Sequence, residues 1–293
     1  MRTVSRRRGF RGVAASGCVL AATFVLGCPA SAPPPQTVVV VVPTSTSTAA
    51  EVVPTEEPKV LDCPGQMAFL AGGELTVAND KRRQVADFCL DVTEVTVAAY
   101  TMCVERGACT ADDLECDDAW TYNRAELADH PINCVSWVQA DRFCHSLGKR
   151  LPTWEEWEWA AQGRTERRRF PWGDTEPVPD QMCWSLGAQH ATTCPVGSYP
   201  TSRSAQGIDD LLGNLWEWLA PQVRRGVPNV ARGGAWQNAD LTMLEGENAG
   251  SFVPGFVRND VVGFRCAYDG GRSRSPDPQP DDAPVARSSA AAP

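Results

Sequence analysis

Twelve cysteines in 293 residues constrain this chain more than any other feature. No two of them form a C-x-x-C pair, and His130, His145 and His190 are scattered along the sequence, so a sequence-encoded zinc knuckle is not visible. Zinc is the rival use for so many thiols. Disulfides are the expectation if the chain reaches an oxidising compartment.

The N-terminus supplies that condition. Arg2, Arg6, Arg7, Arg8 and Arg11 stand without an acidic residue before an apolar run from Val13 to Leu26, the layout of a signal peptide over residues 1–27. The run is shorter than the roughly 20 residues that a membrane-spanning helix needs. Val25-Leu26-Gly27-Cys28 resembles a bacterial lipobox, in which cleavage leaves an acylated N-terminal cysteine, here Cys28. The resemblance implies a partner, the lipid bilayer, and a place in the cell envelope. Pro29, where Asp is associated with inner-membrane retention, points to the outer membrane. With Cys18 lost and Cys28 lipidated, ten cysteines remain, enough for five disulfides.

Composition then divides the chain. Residues 28–62 are rich in Pro, Thr, Val and Ser and 270–293 in Pro, Asp, Ser, Arg and Ala; neither can bury enough apolar surface to offset chain ordering. They read as a disordered tether and a disordered tail. All ten Trp fall between Trp120 and Trp236, and residues 63–269 suit one globular domain. Loss of the five signal-peptide Arg takes the formal charge from −9 to −14, which argues against a nucleic-acid partner. The basic run Arg164 to Arg169 reads as a solvated loop.

Within the domain, local signals predict three helices. Thr96 caps a helix over about 97–106 that Gly107 ends. Ser136 with Gln139, and Thr153 with Glu156, are capping boxes opening helices that stop at Gly148 and Gly163. From Phe170 onward short apolar pieces punctuated by Gly and Pro predict short strands and structured loops. The fold class is α+β with much irregular backbone.

Seven segments stand out along the domain, beginning with Met67-Ala-Phe-Leu-Ala-Gly-Gly, Phe88-Cys-Leu-Asp-Val-Thr-Glu-Val-Thr and His130-Pro-Ile-Asn-Cys-Val-Ser-Trp. Gly148-Lys-Arg-Leu-Pro-Thr-Trp-Glu-Glu-Trp, Gly213-Asn-Leu-Trp-Glu-Trp, Arg232-Gly-Gly-Ala-Trp and Gly263-Phe-Arg-Cys-Ala complete them. Taken in order, they resemble the formylglycine-generating enzyme family, also called the sulfatase-modifying-factor domain, a branch of the C-type-lectin-like fold. Family enzymes oxidise a sulfatase cysteine with copper(I) held by two cysteines; those positions fall here on Asn238 and Met243. Soft thiolates suit copper(I) and an amide does not, so copper is not expected. Iron is not expected either, because the three His of the sulfoxide-forming branch have no counterparts in similar contexts.

The resemblance also implies a calcium site from the Asp210 and Glu217 side chains and the carbonyls of Gly213 and Leu215, hard oxygen donors of the kind calcium takes. The alternative is that Glu217 pairs with an arginine such as Arg232 and holds no ion. A disulfide between Cys144 and Cys266 is implied in the same way, whereas Cys103–Cys109 and Cys183–Cys194 are suggested by proximity alone. The expectation is a binding or scaffold module with an unidentified protein or small-molecule ligand; an oxidoreductase with a rearranged metal site is the alternative.

Overall fold

In a computed structural model, the described residues are 61–77, 80–186, 190–221, 230–240, 250–252 and 258–270. The proposed signal peptide, Cys28, nearly all of the tether, the tail beyond 270 and Met243 lie outside them. The described residues form three helices and nine short strands: β1 (Met67–Leu70), β2 (Gly73–Val77), β3 (Lys81–Val85), β4 (Phe88–Asp91), α1 (Val97–Glu105), α2 (Trp137–Ser146), α3 (Trp154–Ala161), β5 (Trp216–Trp218), β6 (Val230–Arg232), β7 (Gly250–Phe252), β8 (Val262–Gly263) and β9 (Ala267–Tyr268).

Each helix starts where its cap sits. Thr96 accepts from the Ala99 N–H, and both capping boxes are formed, with the Ser136 and Thr153 hydroxyls taking the Gln139 and Glu156 N–H groups. Gly107, Gly148 and Gly163 follow the helices with φ between 68° and 74°, a region that glycine enters without the cost other residues meet. The run Arg164–Glu166 is a single 3-10 turn rather than a plain loop.

Three small sheets carry the rest. β1, β4 and β9 pair antiparallel; β2 and β3 form a hairpin; and β7, β6, β5 and β8 form the third sheet, in which β5 and β8 run parallel. The β2–β3 hairpin is not legible as a strand pair, since Lys81-Arg82-Arg83-Gln84 faces water and only Val85 is buried.

Two apolar clusters fill the interior. One stacks Tyr100 on Phe143 with Phe264 edge-on and takes in Ile132, Leu151 and Trp218; the other gathers Leu70, Phe88, Leu90, Trp157, Trp159 and Leu211. Five disulfides staple these elements: Cys63–Cys89, Cys103–Cys109, Cys116–Cys134, Cys144–Cys266 and Cys183–Cys194. Cys144–Cys266 spans 122 residues and ties α2 to the segment before β9.

Candidate functional site

The centre of the molecule is ionic. Arg265, fully buried, uses its whole guanidinium: Nε and Nη2 donate to Glu217 Oε2 (2.8 Å) and Oε1 (2.7 Å), Nη2 also to the Asp209 carbonyl, and Nη1 to the carbonyls of Asp91 and Val92. Trp157 Nε1 adds a third donor to Glu217, at 2.9 Å. The pairing follows from topology. Glu217 of β5 lies beside Gly263 of the parallel strand β8, so a side chain two residues further on reaches it.

Around this pair several carboxylates contact a cation. Asp91 takes Lys149 Nζ at 2.7 Å and the Cys266 N–H at 2.9 Å; Asp209 takes Arg203 Nε at 2.7 Å; Arg150 bridges Glu156 and Asp269. Two carboxylates do not. Glu94 is 2% exposed, and its Oε1 has no hydrogen-bond partner among the described residues. Asp210, equally buried, accepts the Gly197 N–H on Oδ2 at 2.6 Å and has no Lys or Arg in ion-pair contact among the described residues. Burial and the neighbouring Asp210 carboxylate hold the Glu94 carboxyl well above its ordinary range, and burial pushes Asp210 up to about 6 against the pull of the Gly197 N–H and Arg265.

The turn that carries Asp210 is tightly specified. Asp210, Gly213 and Asn214 all have positive φ, and a Cβ on Gly213 would meet the Cys183 carbonyl at 2.6 Å. Gly213 donates its N–H to the Gly233 carbonyl, and a Cβ on Gly233, φ 104°, would meet the Leu211 carbonyl at 2.8 Å. Two glycines thus let two turns touch, one leading into β5 and the other leaving its antiparallel partner β6.

Three groups singled out in the sequence are placed as follows. Glu217 is held by Arg265 and not by Arg232, which sits 3.8 Å from Glu158 and over the Trp154 ring. Of the expected calcium set, Asp210, Gly213 and Leu215 share one turn, but the charge of Glu217 is already answered; the negative charge open to a cation resides on Asp210 and Glu94. Two buried carboxylates with turn carbonyls are hard oxygen donors that fit calcium. Sequence reasoning missed Glu94 and Arg265, although both stand inside quoted motifs as charges among apolar neighbours. Third, His190 is not isolated: its Nδ1 lies 3.6 Å from Cys194 Sγ.

The segment where the family's copper thiols fall has another character. After Arg232 the backbone turns through Gly233 and Gly234 to Ala235 and Trp236, both buried. Asn238 then folds back on this turn, its Oδ1 accepting the Ala235 N–H at 2.6 Å and its own N–H donating to the Ala235 carbonyl. The amide serves the turn. All ten cysteines between residues 63 and 266 are in disulfides, so among the described residues no thiolate stands near it.

Comparison with known proteins agrees with this architecture. The Sulfatase-modifying factor enzyme 1-like domain matches residues 50–270. The chain is 40% identical over 100 residues to hercynine oxygenase of Mycobacterium tuberculosis, covering 33% of this chain and 23% of that protein. It is 32% identical over 167 residues to inactive C-alpha-formylglycine-generating enzyme 2 of Bos taurus, covering 50% of this chain and 53% of that one. The chain therefore spans about half or less of the length of these curated relatives. Among solved structures, PvdO from Pseudomonas aeruginosa superposes with a TM-score of 0.54 at 21% identity, covering 69% of this chain and 94% of its own, a likeness of fold. With the domain match running through every segment that builds the ionic centre, the chain belongs to the sulfatase-modifying-factor, or formylglycine-generating-enzyme, family.

Proposed function

We propose that this protein is a non-catalytic member of its family, a binding or scaffold module displayed on the cell envelope by an acylated Cys28. The observation that carries the reading is Asn238: a hard, neutral amide committed to its own turn occupies a position where the family's chemistry uses a soft thiolate. The inactive relative in Bos taurus supports it, since absence of activity is compatible with the family fold. The ligand would be met by the exposed residues Gln237, Ala239 and Asp240 that follow the turn.

Calcium is proposed as a structural ion held by Asp210, Glu94 and the Gly213 and Leu215 carbonyls. It would neutralise charge that the protein itself leaves uncompensated. Lipidation would place the module at the outer membrane, and radiolabelled fatty acid entering the wild type but not Cys28→Ala tests that anchoring.

The match to hercynine oxygenase favours a second reading, an oxygen-dependent oxidoreductase with a rearranged metal site. The two separate in one assay. The mature chain is incubated with a sulfatase-type cysteine peptide, copper and oxygen, and the peptide is examined for the aldehyde by mass spectrometry. The binding-module reading expects unmodified peptide; aldehyde formed over many turnovers overturns it.

A further inference from the structure

Cys183 and Cys194 are buried and joined, and theirs is the one disulfide among the described residues that forms a group with an imidazole. Cys183 Sγ, His190 Nδ1 and Cys194 Sγ lie within 4.8 Å of one another. Tyr199 Oη is 3.6 Å from Cys194 Sγ as well. His190 and Tyr199 are half-buried, so this group is reached from solvent on their side, whereas both residues of the Cys144–Cys266 pair are wholly enclosed.

The backbone around the two sulfurs is fixed independently of the bond between them. Asn214 donates its N–H to the Cys183 carbonyl (2.8 Å), while its side chain accepts the Cys194 N–H (3.0 Å) and donates to the Cys194 carbonyl (3.3 Å). Ser185 adds hydrogen bonds to the carbonyls of Trp236 and Asn238, each 2.8 Å. Breaking the disulfide would therefore leave both cysteines where they are, with only their side chains free to turn.

Their spacing suits a particular ion. With Zn–S about 2.3 Å and Zn–N about 2.0–2.1 Å, the sulfur-to-nitrogen edge of a tetrahedral zinc site is about 3.6 Å and the sulfur-to-sulfur edge about 3.8 Å. The Cys194–His190 edge, 3.6 Å, already has that length. Rotation of the Cys183 side chain after reduction would supply the other edge. Two thiolates and one imidazole with an open fourth position form a known kind of zinc donor set.

We propose that reduction of the Cys183–Cys194 disulfide by a dithiol converts this group into a site for one zinc ion, held by Cys183, Cys194 and His190, with water or the Tyr199 hydroxyl fourth. The dithiol gives two electrons and two protons to the sulfurs and becomes a disulfide; zinc then displaces the two protons from the new thiols. The site is independent of the binding-module reading and of the calcium site.

The test uses the full mature chain. Limited reduction with dithiothreitol, followed by differential alkylation and peptide mass spectrometry, identifies the opened pair, and zinc is then titrated with cobalt(II) as the spectroscopic probe. The expected result is one equivalent of zinc bound by the reduced protein and none by the oxidised protein, protection of Cys183 and Cys194 from alkylation, and a thiolate-to-cobalt charge-transfer band. His190→Ala should weaken binding tenfold or more, and Cys183→Ser/Cys194→Ser, which keeps the other four disulfides, should abolish it. A second route starts from the fully reduced chain refolded with zinc and then oxidised: these two cysteines should remain thiols while four pairs close. Closure of all five pairs regardless of zinc overturns the proposal, as does equal binding by the double-serine variant.

Discussion

The ionic centre around Arg265 and the turn around Asn238 are adjacent in the same sheet system, yet they are built by opposite rules. At the centre, residues drawn from four family-like segments, with Asp269 just beyond the last, find partners across long stretches of chain: Asp91 with Lys149, Glu217 with Arg265 and Trp157, Arg150 with Asp269. At the turn, Gly233, Ala235 and Trp236 keep the backbone path, while the Asn238 side chain bonds to Ala235 three residues back. The resemblance is thus carried by residues that hold the fold, and a family's chemistry resides in a few positions between them. Fold and function separate at that boundary.

The comparison breaks first if the scaffold is less cooperative than this. Replacing Cys144 and Cys266 by Ala opens a loop of 122 residues, for which the chain-entropy account gives about 5 kcal/mol. Denaturant unfolding of the non-reduced variant checks it, and a loss under about 1 kcal/mol would show that the staple is redundant. Arg265→Met comes next. It strands Glu217 in an enclosed site, a loss of about 3–5 kcal/mol by the same measurement. Replacing Arg265 and Glu217 together by apolar residues should cost less than Arg265→Met alone, because no unpaired charge is left.

Calcium sharpens the account at the point where the centre is incomplete. At a hundred times its Kd, calcium would add about 2.7 kcal/mol, which for a domain of this size raises Tm by roughly 5–10 °C. Glu94→Gln should remove that response while leaving the chelated protein no less stable, since it deletes an uncompensated buried charge. A chelated Glu94→Gln protein that melts well below the chelated wild type contradicts this. The chelated wild type should also depend on pH in a definite sense. Asp210 and Glu94 bind protons more tightly folded than unfolded, so the stability they contribute is present at low pH and is lost as pH rises, for Asp210 through about 6. Calcium should reverse the trend. The smallest effect belongs to the turn: Asn238→Ala removes one hydrogen bond to the Ala235 N–H, about 1 kcal/mol.

What was legible in the sequence was local. Thr96, Ser136 and Thr153 announce their helices because a cap and its partner are three residues apart, and the observed starts at Val97, Trp137 and Trp154 follow directly. The seven segments gave the fold through resemblance. The partner of Glu217 was not legible: Arg232 is its register neighbour across β5 and β6, but Arg265, 48 residues away, arrives by the parallel pairing of β8. Glu94 was hidden for a related reason, since an acidic residue beside Val95 reads as surface until residues distant in sequence, Asp210, Asn214 and Arg265, are brought beside it. His190 stands only four residues before Cys194. The spacing of the three histidines does not reveal the group, because one histidine and two cysteines meet here.

The central claim is that the scaffold is complete and the copper-binding thiols are absent. Copper(I) titration of the fully oxidised mature chain, against a competing chelator, tests that claim most directly. The account predicts that the chelator keeps all the copper; one equivalent withdrawn tightly by the oxidised protein would contradict it.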